Sequence, residues 1–523
     1  MCYRVVCAAT AAAAVLTACG FPFGDSPPQY GFISVSSGGD TLTPGFDQVP
    51  PTLDLRLHAE KPMRQQDVTG QVDSRALSFT VAGSDVVAST SPLPLGSHHH
   101  LSISIAGRAQ GISLDFSVIP PTSAMFAAHI DPDAGVVVDG VFDDPPEPSA
   151  VAAALPGASL TWRDPTHVRL SWSGSPPDAV DLPAGLTTAR GSHLGGAVHL
   201  TLAGIAKGEL RRVTSPASPV VAGTNVVAFV VNSSESNSSL AHHQSVLDWV
   251  SATGWQAEPD GSIVGTPDAA AVDRARSVRL PLWPNLANDA QDADGTDSLL
   301  KNPQAVSALV STVVQSVVDG GFPGVNLDFE GMHAVDKDAF TAFVKSLAAA
   351  LHGHGVQLTV DVVPHGSTGV NQYSAAYDVP ALGSAADFLD VMAYDEHGEG
   401  SSPGPVAGLD WVKGELTYTL PGLQAGHTLL GIPLYGRAWT NGSGSTASYG
   451  DVLSALQASG ARVDYDFGAQ TPYVVSGDAG TITYFDDADS LQRKIGLAHQ
   501  LGLGGVAAWR LGFEDPAFWS LFG

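Results

Sequence analysis

Between residues 31 and 213 apolar and polar positions alternate one by one. "LSFTVAGS", "HHLSISIAGR", "ISLDFSVIP" and "HVRLSWSGS" each gather their apolar side chains on one face with period two, and Gly, Pro and Asp fill the gaps between them. Helix-length amphipathic runs are nearly missing here. A break near Pro120-Pro121 divides the stretch in two, so two all-β sandwich domains are expected, at 31–119 and 120–213. From Asn225 the texture changes. Short apolar runs at 226–231, 246–252, 277–283, 324–330, 357–364, 387–394, 428–435 and 504–511 read as strands. Amphipathic helices such as "NPQAVSALVSTVVQSVVDGG" and "DKDAFTAFVKSLAAALHGHG" lie between them, each ending in Gly. Strands alternating with helices over this length predict a (β/α)8 TIM barrel at 225–523. An open doubly wound sheet is the competing arrangement, but no glycine-rich phosphate loop follows the first strand.

Composition narrows the partners. The 523 residues hold 24 Lys+Arg against 52 Asp+Glu, a net charge of -28 spread along the chain. Nucleic acid is thereby excluded as an expected partner, because phosphate neutralisation needs a basic surface. The opening "MCYRVVCAATAAAAVLTACG" has one basic residue, an apolar stretch and then small residues, as a secretory signal does. Its end, Leu16-Thr17-Ala18-Cys19, resembles the bacterial lipobox, which implies a signal peptide at 1–19, lipidation of Cys19 and a tether at 20–30. The expectation is an exported monomer, lipid-anchored to a bacterial membrane and facing outward or into the periplasm. All three cysteines lie in this leader, so the mature chain would carry no disulfide. No cofactor or metal is expected; His98, His99 and His100 alternate across a strand and do not converge on one ion. The run around them, "PLPLGSHHHLSISIAG", resembles a late hairpin of bacterial immunoglobulin-like domains.

The chemistry concentrates in "GFPGVNLDFEGM". On a strand, Asn326, Asp328 and Glu330 share one face, opposite Val325, Leu327 and Phe329. In a barrel of this kind reactive groups collect at the C-terminal ends of strands. Asp328 and Glu330 close the fourth expected strand, Tyr394 and Asp395 the sixth, and Trp509 the eighth. No Lys or Arg lies within 324–331 to pair with the acids, so desolvation should raise at least one carboxyl pKa, as a general acid requires.

Four segments in order, "GVNLDFEG", "VMAYDEHG", "LLGIPLYGRAW" and "YFDDADSLQRKIGLAHQLGLGGVAAWRLGFED", resemble glycoside hydrolase family 18, and within it the bacterial spore-cortex and peptidoglycan-type members. The resemblance spans Asn225 to the C-terminus. The family pattern Asp-Gly-x-Asp-x-Asp-x-Glu falls here on Pro323 to Glu330, with Pro323 and Asn326 in place of its first and middle acids. It implies a retaining mechanism in which the sugar's own 2-acetamido group is the nucleophile, on N-acetylglucosamine-containing β-1,4 polysaccharides of chitin or peptidoglycan type. Glu330 would then be the acid and base, Asp328 would hold the acetamido N–H, and Tyr394 would fix that group. Trp509 would floor the sugar, with Asn326, Asp395, Tyr435 and Arg437 as further substrate contacts. Asn326 removes a like charge beside Asp328, which should then ionise more easily. Residues 441–485 resemble the small insertion domain of many members, or form an ordinary long excursion. Two other readings remain: a glycan-binding pseudoenzyme of the same fold, against which the retention of Asp328 and Glu330 argues, and an adhesin whose β domains carry the function.

Overall fold

The computed structural model describes residues 49–106, 111–218, 225–366, 369–477 and 480–522, and the backbone alone of 32–37 and 40–41. The leader, Cys19 and the tether lie outside the described residues. The chain separates into two compact units: one holds 1–126, 140–203 and 212–216, the other 127–139, 204–211 and 217–523.

The N-terminal part is antiparallel throughout. A five-stranded sheet (strands at 40–41, 32–37, 54–59, 85–89 and 80–82) and a four-stranded sheet (75–76, 68–72, 98–105 and 112–117) share one core. Leu55, Leu57 and Val86 from one sheet and Leu101, Ile103 and Phe116 from the other are all buried in it. The three histidines turn apart: His98 meets Ser117, His99 meets Asp73 and His100 meets Asp115. The next segment is antiparallel as well. It has a five-stranded sheet (159–164, 167–171, 135–142, 124–131, 211–215), a two-stranded hairpin (179–182 with 198–201) and a short helix, Pro148–Ala154.

Eight parallel strands follow: β1 Asn225–Val230, β2 Trp249–Ala257, β3 Leu282–Ala287, β4 Gly324–Asp328, β5 Gln357–Val362, β6 Phe388–Val391, β7 Thr428–Pro433 and β8 Gly505–Trp509. Each pairs with the next in parallel, and β8 returns to β1, so the sheet closes into a barrel. The expected third strand at 277–283 is displaced. Residues 269–278 form a helix that ends on Arg279 in the left-handed region (φ 61°), and β3 runs on through Pro284.

Helices close the outside. Pro303–Gly320 shows why: the Asn302 carboxamide accepts from the backbone N–H groups of Gln304 and Ala305, Pro303 occupies the first turn, and Gly321 ends the helix with φ 64°. Ala305, Leu309, Val313 and Val317, four apart, form its buried stripe, each large side chain contributing about 1.5–3 kcal/mol by burial.

Inside the barrel the layers differ in kind. At the N-terminal end of the strands Trp249, Trp283 and Phe388 pack ring against ring, with the two indole centroids 5.0 Å apart. Above this plug lies a polar layer: Ser251 of β2, Asn285 of β3, Asn326 and Asp328 of β4, Thr359 and Asp361 of β5, and Asp390 of β6. Between β7 and β8 the chain builds a five-stranded antiparallel sheet from 436–440, 443–447, 462–466, 471–476 and 481–484, with a helix at Tyr449–Ala455.

Candidate active site

Strand β4 stops at Asp328, and Glu330 follows on the turn above it. That turn has a steric cause. Gly331 has φ +65°, and a Cβ there would sit 2.2 Å from the Ala290 carbonyl oxygen, so only glycine fits. Asn288 then clamps Glu330 from both sides: its carboxamide oxygen accepts from the Glu330 N–H (2.8 Å) and its NH2 donates to the Glu330 carbonyl (2.8 Å). Tyr377 donates to the carbonyl of Phe329 at 2.7 Å. The general-acid candidate therefore stands on a fixed backbone with a side chain free to reach into the cleft.

Asp328, Glu330, Tyr394, Asp395, Tyr435, Arg437 and Trp509 line one cavity of about 170 Å³. Trp509 leans edge-on against Phe229 of β1, with centroids 5.2 Å apart. Tyr394 finds room because β7 has Gly431 opposite it; a Cβ at that position would lie 3.0 Å from the tyrosine ring. Asp395 adopts φ 63°, a left-handed conformation that Asp tolerates at modest cost. Its carboxylate takes the Tyr435 hydroxyl at 2.5 Å and Arg437 at 2.6 Å, while Arg437 also reaches Glu399 at 3.3 Å. Asn326 is the exception among the expected contacts. It lies one layer deeper, 3% exposed, and its NH2 is spent on Asp361 at 2.6 Å.

The charges beneath the cavity explain its chemistry. Asn285 donates to Asp328 at 3.3 Å, while the other Asp328 oxygen is buried with no partner. Burial pushes Asp328 up to about 6. Glu330 is pushed up to about 8, first by the protein enclosing its carboxyl and then by the charges of Asp328 and Asp395. Its side chain is nonetheless open to the cleft, so the group is both protonated near neutrality and reachable. The expected relief of Asp328 by Asn326 is outweighed by burial. Asp361 and Asp390 face each other in register on β5 and β6, both are buried, and burial holds each well above the ordinary carboxylate range. The acid removed from β4 reappears on its neighbours, held there protonated and uncharged.

Residues 287–514 match the pattern of glycosyl hydrolases family 18. The chain is 26% identical over 305 residues to "Uncharacterized glycosylase YvbX" of Bacillus subtilis, a match that covers 56% of this chain and 89% of that protein. It is 27% identical to the "Cortical fragment-lytic enzyme" of the same organism, across 53% of this chain and 67% of the relative. A chitinase from Chromobacterium violaceum superposes with a TM-score of 0.54 at 29% identity, covering 57% of this chain and 98% of that one. Residues 287–514 of this chain belong to glycosyl hydrolase family 18. The chain is a glycoside hydrolase.

Within a family 18 barrel, the sequence pattern located the rim but not its support. Asn285, Asn288, Asp361, Asp390 and Tyr377 escaped it, as did Phe229 and Phe513 of the cavity wall. Asp361 and Asp390 did leave a signal. Each is a lone acid inside an apolar strand, "TVDVV" and "FLDVM", where a solvated role is excluded.

Proposed function

We propose that this chain hydrolyses β-1,4 linkages of glycans containing N-acetylglucosamine, of chitin or peptidoglycan type, by substrate-assisted retaining catalysis. The observation that carries the reading is the pairing of Glu330, an accessible carboxyl kept protonated to about pH 8, with a buried Asp328 that has an unpartnered oxygen and lies in the same cavity as Trp509. In the proposed reaction the sugar lies on the Trp509 indole, whose face packs against apolar C–H groups. Asp328 accepts the acetamido N–H and aligns its carbonyl oxygen on the anomeric carbon. As that oxygen attacks, Glu330 gives its proton to the departing glycosidic oxygen, leaving a cyclic oxazolinium ion. Glu330, now a carboxylate, takes a proton from water, which opens the ring with the original anomeric configuration. The Tyr394 hydroxyl is placed to hold the acetamido oxygen in line. The names of the relatives, a cortical fragment-lytic enzyme and a chitinase, support this substrate class.

The test is hydrolysis of a chromogenic chito-oligosaccharide series and of purified peptidoglycan, beside a Glu330→Gln variant. Turnover lost in the variant, with the initial product anomer retained by NMR, is the expected result. Binding without turnover by either protein would make the chain a lectin of the same fold. We further propose display on a bacterial membrane through lipid on Cys19, supported by the Leu16-Thr17-Ala18-Cys19 sequence. Incorporation of labelled palmitate in the native chain and its loss in Cys19→Ala test that reading.

A further inference from the structure

Glu330 opens on two cavities. Besides the small one over Trp509, a larger one of about 750 Å³ begins at Glu330 and Gly331 and runs past Tyr373 and Trp411. The two share Glu330, Met392, Tyr394 and Asp395, but Asp328 and Trp509 belong to the small cavity alone. If the reacting sugar lies on Trp509 with its acetamido group at Asp328, the bond that Glu330 protonates leads out of the small cavity. The sugars on the leaving-group side then occupy the large one.

Its walls have one sign of charge. Beside the protonated Glu330 and the Arg437-paired Asp395 it is lined by Glu396 and Glu415, and among the described residues no Lys, Arg or His lines it. Glu396 is anchored, its carboxylate accepting the Gly408 N–H at 2.8 Å, and it is half-buried at the cavity wall. Glu415 comes from the helix Leu409–Thr419, which also carries Trp411. Tyr373 is 65% exposed, offering a free aromatic face. Carboxylates in a partly enclosed cleft attract a cation far more strongly than they would in bulk water, and aromatic faces add to that attraction. The same walls repel a carboxylate on the glycan. Burial pushes Glu396 up to about 7, against the lowering effects of the Gly408 N–H and the charge of Lys494.

We propose that the large cavity binds the leaving-group side of the glycan and selects there for a free amine, a de-N-acetylated glucosamine unit, over an N-acetylated or acid-bearing sugar. The proposal rests on the reading of the reaction given above. The polymer it describes is a partly de-N-acetylated glycan in which an N-acetylated unit is followed, across the cleaved bond, by an amino sugar.

The experiment is digestion of half-acetylated chitosan and of fully N-acetylated chito-oligosaccharides, with the ends of the products sequenced by mass spectrometry. Every cut creates a new reducing end from the small cavity and a new non-reducing end from the large one. The expected result is N-acetylglucosamine at the new reducing ends and glucosamine enriched about fivefold over its share of the polymer at the new non-reducing ends, the scale of one modest ion pair. Glu396→Gln, whose amide oxygen can still accept from Gly408, should lose most of that enrichment. In the native chain the enrichment should fall as salt rises. New non-reducing ends that follow the polymer composition, or an enrichment indifferent to both salt and Glu396→Gln, would overturn the proposal while leaving the hydrolase reading intact. No cleavage of either polymer would overturn both.

Discussion

Asp390 offers the sharpest test of the barrel's inner chemistry. Its carboxyl is 1% exposed, neither oxygen has a partner, and Asp361 lies opposite it in register on β5. Burial is the first cause of its raised pKa and the charge of Asp328 the second, and no cation contributes. The folded state therefore keeps a proton that the unfolded chain releases near pH 3.8. Because the native state binds more protons above that point, stability must fall as pH rises, until the folded group itself ionises. For one such group the slope is about 1.4 kcal/mol per pH unit. Asp390→Asn removes the titration and keeps the shape, and its NH2 can donate toward the free oxygen of Asp361. The variant should lose that slope and gain stability relative to the parent as pH is raised from 5 to 7. Urea unfolding followed by tryptophan fluorescence reads the barrel, since Trp249 and Trp283 pack in the plug beneath this layer. Stability curves for the two proteins that stay parallel from pH 5 to 7 would refute the assignment of a protonated Asp390.

Turnover should follow a bell in pH, rising as Asp328 ionises near 6 and falling as Glu330 loses its proton near 8, checked by kcat/KM on a chromogenic chito-oligosaccharide. Lys494→Met should destabilise the chain by about 3–5 kcal/mol, because Lys494 is 1% exposed and donates at 2.5 Å to Asp486, itself 3% exposed, which would be left buried without its cation. Chemical denaturation of the variant reads that loss. Asn288→Ala should lower kcat about tenfold or more while the chain still folds, since it frees the Glu330 backbone from two hydrogen bonds; kinetics beside circular dichroism separate the two effects.

What the sequence disclosed and what it hid follow from how a parallel barrel buries its strands. Outward positions such as Val325, Leu327 and Phe329 are covered by helices and read as apolar, so strand identity was visible wherever the run was unbroken. It failed at β3, where Pro281 and Pro284 interrupt the run and the preceding helix ends on a non-glycine residue. The rim was readable because Asp328 and Glu330 stand two apart on one strand, a spacing that one segment can display alone. The polar layer below it is assembled from β2 to β6, one or two residues from each, and no single segment shows more than a lone Ser, Asn, Thr or Asp. Only strand register makes Asp361 and Asp390 neighbours and sets Asn326 beside Thr359. That distribution also explains why substitutions at strand four are a poor guide to the charge of the site. An acid missing from position 326 is matched by acids on the next two strands, but these are held protonated, and the raised pKa of Asp328 comes from its burial. Asp361→Asn, which replaces a neutral acid by a neutral amide, should therefore leave the acidic limb of the pH profile in place. A limb that moved downward would mean that Asp361 carries charge while Asp328 titrates, and would refute its assignment as a protonated acid.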